Sequence, residues 1–167
     1  DDNILNQLGH FMKDNMLTHI SDAKKREILE NSKTIVIVGL SPDPSKASYR
    51  VASFLLEKGY DIIPIYPKSI SILEKKSHRS LKEAFIYMES KEKKCDIINI
   101  FRKSEALPDV LKEICSLKGL KSFNERQICV WVQLGLQNIK AAEIAMQNDL
   151  IYEENSCIKI EYNKLFF

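Results

Sequence analysis

Residues 39–50 hold a concentration of groups that bind phosphate. The segment reads GLSPDPSKASYR and carries three serine hydroxyls, the ammonium group of Lys46 and the guanidinium group of Arg50. It joins a run of β-branched residues to a segment with helical spacing, and a strand–helix junction offers free backbone N–H groups and the positive end of the helix dipole. The sequence therefore predicts a phosphate or pyrophosphate site in this loop. The competing interpretation is that Ser48 only caps the helix and the prolines only set a turn.

Two patterns narrow the kind of nucleotide that this loop would accept. The dinucleotide fingerprint G-x-G-x-x-G does not occur, because Gly39 is the only glycine in the loop, and the P-loop pattern G-x-x-x-x-G-K-[ST] is also missing from the sequence. Where NAD enzymes carry an acidic residue after the second strand, this chain has Tyr66-Pro67-Lys68. A lysine favours a further phosphate near the sugar, which coenzyme A (3′-phosphate) and NADP (2′-phosphate) both have. The residues leave both cofactors open.

The elements that must position these groups alternate between strand and helix. Apolar, β-branched runs predict strands at 34–39, 61–67, 95–101, 128–133 and 150–152. Helical spacing between them predicts helices at about 48–59, 81–88, 104–119 and 138–146. This alternation is typical of a Rossmann-like, doubly wound α/β fold with a mostly parallel sheet of five to six strands and helices on both faces.

The carboxyl ends of such strands are where ligands bind in an open parallel sheet. The residues to consider there are 39–48, 66–68, 101–104 and 133–136. Arg102 follows the third predicted strand directly, where it can either contact phosphate or pair with Glu105. No nucleophile, base and orienting group occur at a useful spacing, so we predict no catalytic residue and no enzymatic activity.

Composition limits the partners, metal sites and cellular location that we expect. The 167 residues include 44% apolar residues and have a formal net charge of +2, which gives no general reason to expect nucleic acid or an anionic membrane as a partner. The four scattered cysteines and three histidines predict no metal site, and reduced thiols indicate a cytoplasmic protein. We expect a helical extension at 1–21, which can supply a homodimer surface, and a nucleotide-binding domain at 22–167.

Three other residues attract separate expectations. Cys157 precedes an alternating, strand-like segment at 158–162, and its thiol would approach the bound ligand if this tail returned across the carboxyl edge of the sheet. The competing interpretation is a reduced cysteine that only packs in the core. Trp131 lies in a buried strand and is predicted to be a core residue. His78 lies in a polar loop, where we expect it to be exposed.

Four stretches of the chain resemble a known family. They are VGLSPDPSKASYRVASFLLEKGYDIIPIYPK (38–68), DIINIFRKSEALP (96–108), VWVQLG (130–135) and CIKIE (157–161). In this order they resemble the small stand-alone CoA-binding proteins, which are similar to the CoA-binding N-terminal domain of the succinyl-CoA synthetase alpha subunit. The resemblance runs from about residue 22 to residue 165. One departure is Tyr66, where the family usually has Asn before the proline.

The resemblance implies a single Rossmann-like domain that binds coenzyme A, or an acyl-CoA, without common catalytic activity. The loop after the first strand would hold the pyrophosphate, Tyr66, Pro67 and Lys68 would face the adenosine and its 3′-phosphate, and Phe101, Arg102 and Gln133 would line the channel for the pantetheine arm. The candidate loop residues are Gly39, Leu40, Ser41, Pro42, Lys46, Ser48, Tyr49 and Arg50, and Cys157 completes the set. The alternatives are an NADP-dependent oxidoreductase and a redox-responsive nucleotide-binding regulator.

Overall fold

The computed structural model describes residues 19–166, and its centre is a parallel sheet of five strands. The strands, in chain order, are β1 (Thr34–Val38), β2 (Asp61–Ile65), β3 (Ser71–Ile72), β4 (Lys75–Lys76), β5 (Ile97–Ile100), β6 (Cys129–Val132) and β7 (Ile151–Glu153). The order across the sheet is β2-β1-β5-β6-β7, while β3 and β4 form a separate antiparallel hairpin. The expected helical extension lies outside the described residues, apart from residues 19–21.

The helices begin close to where the sequence predicts them. They are α1 (Asp22–Asn31), α2 (Ala47–Glu57), α3 (Leu81–Ser90), α4 (Leu107–Ser116), α5 (Ile139–Gln147) and α6 (Ile158–Phe166). Side-chain oxygens of Ser21 and Asn138 accept hydrogen bonds from the first turns of α1 and α5, at 3.1 and 3.0 Å. No helix between residues 19 and 166 is long and apolar enough to cross a membrane.

Each strand of the sheet contributes side chains to two hydrophobic cores, one on each face. In β1, Val36 and Val38 face a core shared with α3, α4 and α5. Ile35 and Ile37 face a second core, shared with α1, α2 and α6. The continuous apolar runs in the strands are explained by this burial on both faces. The predicted doubly wound, Rossmann-like fold with helices on both faces is confirmed.

The direction of winding changes at β1. From β1 the chain passes through α2 to β2 on one side, and then returns across β1 to β5 on the other side. Val38, the last residue of β1, is in register with Ile65 of β2 and with Ile100 of β5. Because the helices on the two sides of this point cover opposite faces, a crevice opens between the carboxyl ends of β1 and β5.

The expectation of a strand-like segment at 158–162 is wrong, because α6 occupies residues 158–166. Ile158, Ile160 and Tyr162 alternate with polar residues and would share one face of a strand, but only a helix places Ile158 and Tyr162 on one face that excludes Ile160. Both contribute to the core with α1 and α2. Ile160 points away and is 57% exposed. An alternation of five residues fits both periods, and the packing against neighbouring helices decides between them.

The expectation that His78 is exposed is also wrong. Its backbone N–H donates to the Pro64 carbonyl and its carbonyl accepts from the Tyr66 N–H, both at 2.9 Å. The imidazole is buried, with its ring centre 4.6 Å from that of Tyr87. The β3–β4 hairpin turns the chain back so that His78 lies alongside β2. The sequence did not predict this hairpin, because its two-residue strands are too short to show a period.

Candidate functional site

The loops that follow β1 and β5 touch at Gly39. This residue has φ of +82°, and a Cβ atom built on it would lie only 2.5 Å from the carbonyl oxygen of Phe101. Backbone hydrogen bonds from Gly39 N–H to the Ile65 carbonyl (3.0 Å) and from Phe101 N–H to the Val38 carbonyl (2.9 Å) fix the arrangement. Only glycine fits here, because a side chain would be both strained and in collision with backbone.

The residues after Gly39 form a loop with its own hydrogen bonds. Leu40 is fully buried in the core with α2, so its side chain anchors the loop and only its backbone is left for a ligand. The hydroxyl oxygen of Ser41 accepts from the Asp43 N–H at 3.1 Å, and a carboxylate oxygen of Asp43 accepts from the N–H (2.9 Å) and hydroxyl (2.8 Å) of Ser45. The two hydrogen bonds from Ser45, the one from its backbone N–H more than the one from its hydroxyl, lower the pKa of the Asp43 carboxyl. Pro42 lies exposed in this loop.

Ser48 ties the loop to the helix from inside α2. Its buried hydroxyl oxygen accepts from the Ser41 N–H at 3.0 Å. The N-cap position belongs to Lys46, whose side chain makes no capping hydrogen bond. The interpretation of Ser48 as a helix cap is therefore wrong. The first-turn N–H groups of α2, at Ala47, Ser48 and Tyr49, have no preceding carbonyl within the helix and no capping side chain.

Positive side chains surround this open helix start. Lys46 and Arg50 are exposed at the first turn of α2, and the Arg50 guanidinium donates to the carbonyl of Ser45. Arg102 is exposed after β5, with its Cδ atom 3.6 Å from the position of a Cβ on Gly39. It makes no ion pair with Glu105 in the described part of the chain. Two cations thus lie at one helix N-terminus and a third lies beside Gly39, an arrangement suited to an anion of more than one charge.

The residues after β2 lie at the same edge of the sheet. Tyr66 is half-buried and contacts the core beneath α2, while Pro67 and Lys68 are exposed. The backbone here is fixed, because the Ser77 hydroxyl donates to the Lys68 carbonyl at 2.5 Å. Lys68 thus follows the carboxyl end of β2, the neighbour of β1. This is where the sequence predicts a cation for an additional phosphate.

A second, more buried group of polar side chains lies near the carboxyl ends of β5 and β6, on the sheet face covered by α2 and α6. Gln133 is 9% exposed, and its Oε1 atom has no hydrogen-bond partner among the described residues; the same is true of Asn99 Oδ1 and Ser156 Oγ. Asn99 lies two residues after Ile97 in β5, and Gln133 lies two residues after Trp131, just beyond the end of β6. Each side chain therefore points to the same sheet face as the residue two positions before it. An unsatisfied buried acceptor costs about 1–3 kcal/mol, so each of these oxygens favours a donor from a ligand or from water.

Asn99 and Ser156 were not among the residues predicted for the site. For Asn99 a signal was present, because it is an amide between isoleucines in a strand buried on both faces. Its Nδ2 group donates to the Trp131 carbonyl at 3.0 Å. Ser156 gave no signal, because it becomes part of the site only when the tail folds back and its carbonyl accepts from the Trp131 indole at 3.1 Å. Trp131 is fully buried, as predicted.

The tail does return across the carboxyl edge, since the Ser156 N–H donates to the Val132 carbonyl at 3.2 Å. Cys157 follows at the start of α6, and its side chain is buried in the core with Trp131 and Ile158. Cys95 and Cys129 are fully buried, and burial raises the pKa of both thiols far above the ordinary value. The role of Cys157 toward a ligand stays a prediction.

Comparison with known proteins identifies the family. The sequence model of the CoA binding domain family matches residues 33–163. The chain belongs to this family. It is 35% identical over 143 residues to the uncharacterized protein YneT of Bacillus subtilis, covering 85% of this chain and 94% of that protein.

Two solved structures share the fold of this CoA-binding domain. One is the cell-free ID.343 protein of Thermus thermophilus, with a TM-score of 0.72 and 25% identity, covering 88% of this chain and 100% of that chain. The other is a hypothetical protein of Pyrococcus horikoshii OT3, with a TM-score of 0.73 and 27% identity, covering 89% and 94%. The suspected family resemblance is confirmed.

The CoA-binding domain brings most of the predicted residues to one edge. They follow the carboxyl ends of parallel strands or begin α2: Gly39, Leu40, Ser41, Pro42, Lys46, Ser48, Tyr49, Arg50, Tyr66, Pro67, Lys68, Phe101, Arg102 and Gln133. The side chains of Leu40, at this edge, and of Cys157 point into the core. Tyr49 and Phe101 are half-buried and pack against the same core, so each has an edge left for contact.

Proposed function

We propose that this protein binds coenzyme A or an acyl-CoA at the carboxyl edge of its sheet and performs no chemistry on it. The observation that carries this proposal is the contact of Gly39 with Phe101 beside the uncapped first turn of α2. The missing side chain at Gly39 lets the Phe101 carbonyl lie close to the loop after β1, and three first-turn N–H groups of α2 have no partner within the helix. A pyrophosphate satisfies these donors.

The positions of the cations indicate which nucleotide with a pyrophosphate would bind. Lys46, Arg50 and Arg102 supply charge at the helix start, and Lys68 stands one strand away. A ligand with a pyrophosphate and a separate phosphomonoester on its ribose uses both positions. Coenzyme A and NADP both have this charge pattern, whereas NAD lacks the third phosphate.

The unpartnered oxygens of Asn99, Gln133 and Ser156 favour coenzyme A over NADP. They accept hydrogen bonds, and the pantetheine arm carries two amide N–H groups that donate them. A nicotinamide carboxamide also has two N–H donors, but both are on one nitrogen, whereas the two pantetheine amides are spaced along the arm. The crevice on the α2 and α6 face therefore suits a long chain with repeated donors, and we assign it to the pantetheine arm.

The absence of chemistry is part of the proposal. The thiols of Cys95 and Cys129 are kept neutral by burial, since it raises their pKa. The imidazole of His78 is buried against Tyr87, and burial lowers its pKa. These groups are poorly placed for nucleophilic or general acid catalysis, which fits a carrier or sensor. Free thiols fit the reducing cytoplasm that we propose as its location.

Isothermal titration calorimetry with coenzyme A, dephospho-CoA and NADP tests the proposal. We expect coenzyme A to bind most tightly and dephospho-CoA roughly tenfold more weakly, because one charge-assisted contact is lost. Lys68→Ala should remove this difference, whereas the control Lys112→Ala, an exposed lysine on α4, should keep it. NADP binding without coenzyme A binding would overturn the proposal in favour of an NADP-dependent oxidoreductase.

A further inference from the structure

The segment after β7 is bonded to the loop after β6. The N–H of Ser156 donates to the Val132 carbonyl at 3.2 Å, and the N–H of Asn155 donates to the Leu136 carbonyl at 3.0 Å. Because the Val132 carbonyl belongs to the peptide group that leads into Gln133, Gln133 and Ser156 lie on neighbouring stretches of backbone. Each of these two residues has a buried side-chain oxygen without a hydrogen-bond partner among the described residues.

One side chain adds a further link between the two segments. The Oδ1 atom of Asn155 accepts from the Gly135 N–H at 2.7 Å. We name residues 133–138 the β6–α5 loop. The backbone bonds between the segments are available to almost any residue, whereas this bond requires a side-chain acceptor at position 155. Asn155 thus ties the first half of the β6–α5 loop to the residue directly before Ser156.

The backbone at position 155 favours asparagine. Asn155 has φ of +53°, in the left-handed region that asparagine and aspartate adopt more readily than other residues with a side chain. Glu153 and Glu154 precede it directly, so an aspartate would add a third carboxylate to this short segment. The asparagine amide supplies the acceptor for Gly135 without that charge.

The second half of the β6–α5 loop is held by other residues. The Ser104 hydroxyl oxygen accepts from the Gln137 N–H at 3.1 Å, and a Glu154 carboxylate oxygen accepts from the Asn138 N–H at 3.0 Å. These bonds fix the start of α5 and do not involve the side chain of Asn155. Loss of the Asn155 acceptor should therefore loosen residues 133–136 and leave α5 in place.

The groups that we assign to the nucleotide half of coenzyme A lie elsewhere along the same edge. The first turn of α2 comes after β1, and Lys68 comes after β2. In the strand order these two strands stand at the opposite end from β7, which Asn155 follows. No hydrogen bond within residues 19–166 joins Asn155 to either group. A change at Asn155 should therefore act only at the β6–β7 end of the edge.

We propose that Asn155 is a positioning residue for the pantetheine arm. It holds Gln133 and Ser156 in the relative position in which their oxygens accept hydrogen bonds from the arm, and it does not itself contact the ligand. This inference rests on the proposed function. Asn155 then sets the affinity for intact coenzyme A but not the affinity for its nucleotide half.

Calorimetry with two ligands tests this role. They are coenzyme A and adenosine 3′-phosphate 5′-diphosphate, which keeps the phosphates and lacks the pantetheine arm. Asn155→Gly removes the acceptor and leaves the left-handed backbone accessible, so coenzyme A should bind roughly tenfold more weakly and the diphosphate as in wild type. Asp149→Gly is the matched control, since Asp149 is exposed and also has a left-handed backbone, with φ of +56°. It should leave both affinities unchanged.

The conservative variant Asn155→Asp separates positioning from a general loss of structure. It keeps an acceptor for the Gly135 N–H, so it should bind coenzyme A within about threefold of wild type. Amide exchange of Gly135, followed by NMR without ligand, should become faster in Asn155→Gly and not in Asn155→Asp. Circular dichroism confirms that each variant is folded before its affinities are compared.

The outcomes distinguish this inference from the proposed function. If wild type binds neither coenzyme A nor the diphosphate, the proposed function is wrong and the role of Asn155 falls with it. If wild type binds coenzyme A but Asn155→Gly weakens both ligands equally, or weakens neither, only the positioning role is overturned. Unchanged Gly135 exchange in Asn155→Gly would also overturn it.

Discussion

The backbone N–H of Ser41 donates to the hydroxyl oxygen of Ser48 at 3.0 Å, which joins the loop after β1 to the second residue of α2. Both residues lie in the segment that we assign to the pyrophosphate. Because the Ser48 hydroxyl is buried, water does not readily replace it. This side-chain oxygen therefore helps to fix the position of the loop relative to the helix start.

Ser48→Ala should leave the Ser41 N–H without an acceptor. We expect the free energy of unfolding to fall by about 1–2 kcal/mol and coenzyme A to bind more weakly. Urea unfolding and calorimetry measure the two effects. Ser53→Ala, an exposed serine of the same helix, controls for the loss of a hydroxyl. If the two variants unfold at the same urea concentration, the hydrogen bond does not position the loop.

Gly39→Ala should be more damaging than a glycine substitution without a close neighbour. The new Cβ would collide with the Phe101 carbonyl at 2.5 Å, whereas at Gly59, with φ of +96°, no atom lies within 4 Å. Gly59→Ala therefore incurs only the backbone strain of about 1–2 kcal/mol. We expect Gly39→Ala to lower the melting temperature further and to abolish coenzyme A binding. Equal melting temperatures for the two variants would contradict the close contact.

Lys25→Met should be strongly destabilising, because it leaves a buried negative charge. Lys25 Nζ lies 3.0 Å from Glu153 and 2.5 Å from Glu161, and its side chain is almost fully buried. Removing one member of a buried ion pair costs about 3–5 kcal/mol. Lys24→Met, which removes a half-exposed lysine paired with Glu27, should change stability by under about 1 kcal/mol. Denaturant unfolding distinguishes the two, and similar losses would show that burial of the pair contributes little.

His78 should make stability depend on pH. Burial lowers its pKa below the ordinary value of 6.5, with Glu83 opposing and Lys76 reinforcing the shift. The unfolded chain then binds the proton more readily than the folded one, so the contribution is present above about pH 6.5 and is lost as the pH falls. We expect the unfolding free energy of wild type to decrease more steeply between pH 7 and pH 5 than that of His78→Gln. His19 is present in both proteins, so parallel curves would exclude a contribution from His78.

The fold was predictable because the strands are buried on both faces. Residues 35–38 and, apart from Asn99, residues 97–100 are apolar on both faces of the sheet, so the prediction of these strands does not depend on finding a period in a short segment. The strand order, by contrast, depends on which strands pair, and no local pattern contains that information. The switch point beside Gly39 was inferred from the general topology of such folds rather than from the residues themselves.

The site was predictable where it lies along one segment and not where it is assembled from several. Lys46, Ser48 and Arg50 are neighbours in sequence, and their spacing alone indicates an anion site. Ser156 reaches the crevice only because α6 folds back over the sheet, and residues 158–162 fit a strand equally well. His78 is buried through a bridge to Ile65 that depends on an irregular hairpin. Long-range contacts decided each of these cases.

The charge of Lys25 has a consequence for how the chain is made. Its two acidic partners lie near the opposite end of the sequence, in β7 and α6. As the polypeptide leaves the ribosome, the lysine of α1 stays without either carboxylate until β7 and α6 have also been synthesised. The nascent chain can form the sheet from β1 outward, yet the face that α1 covers closes only when α6 has formed.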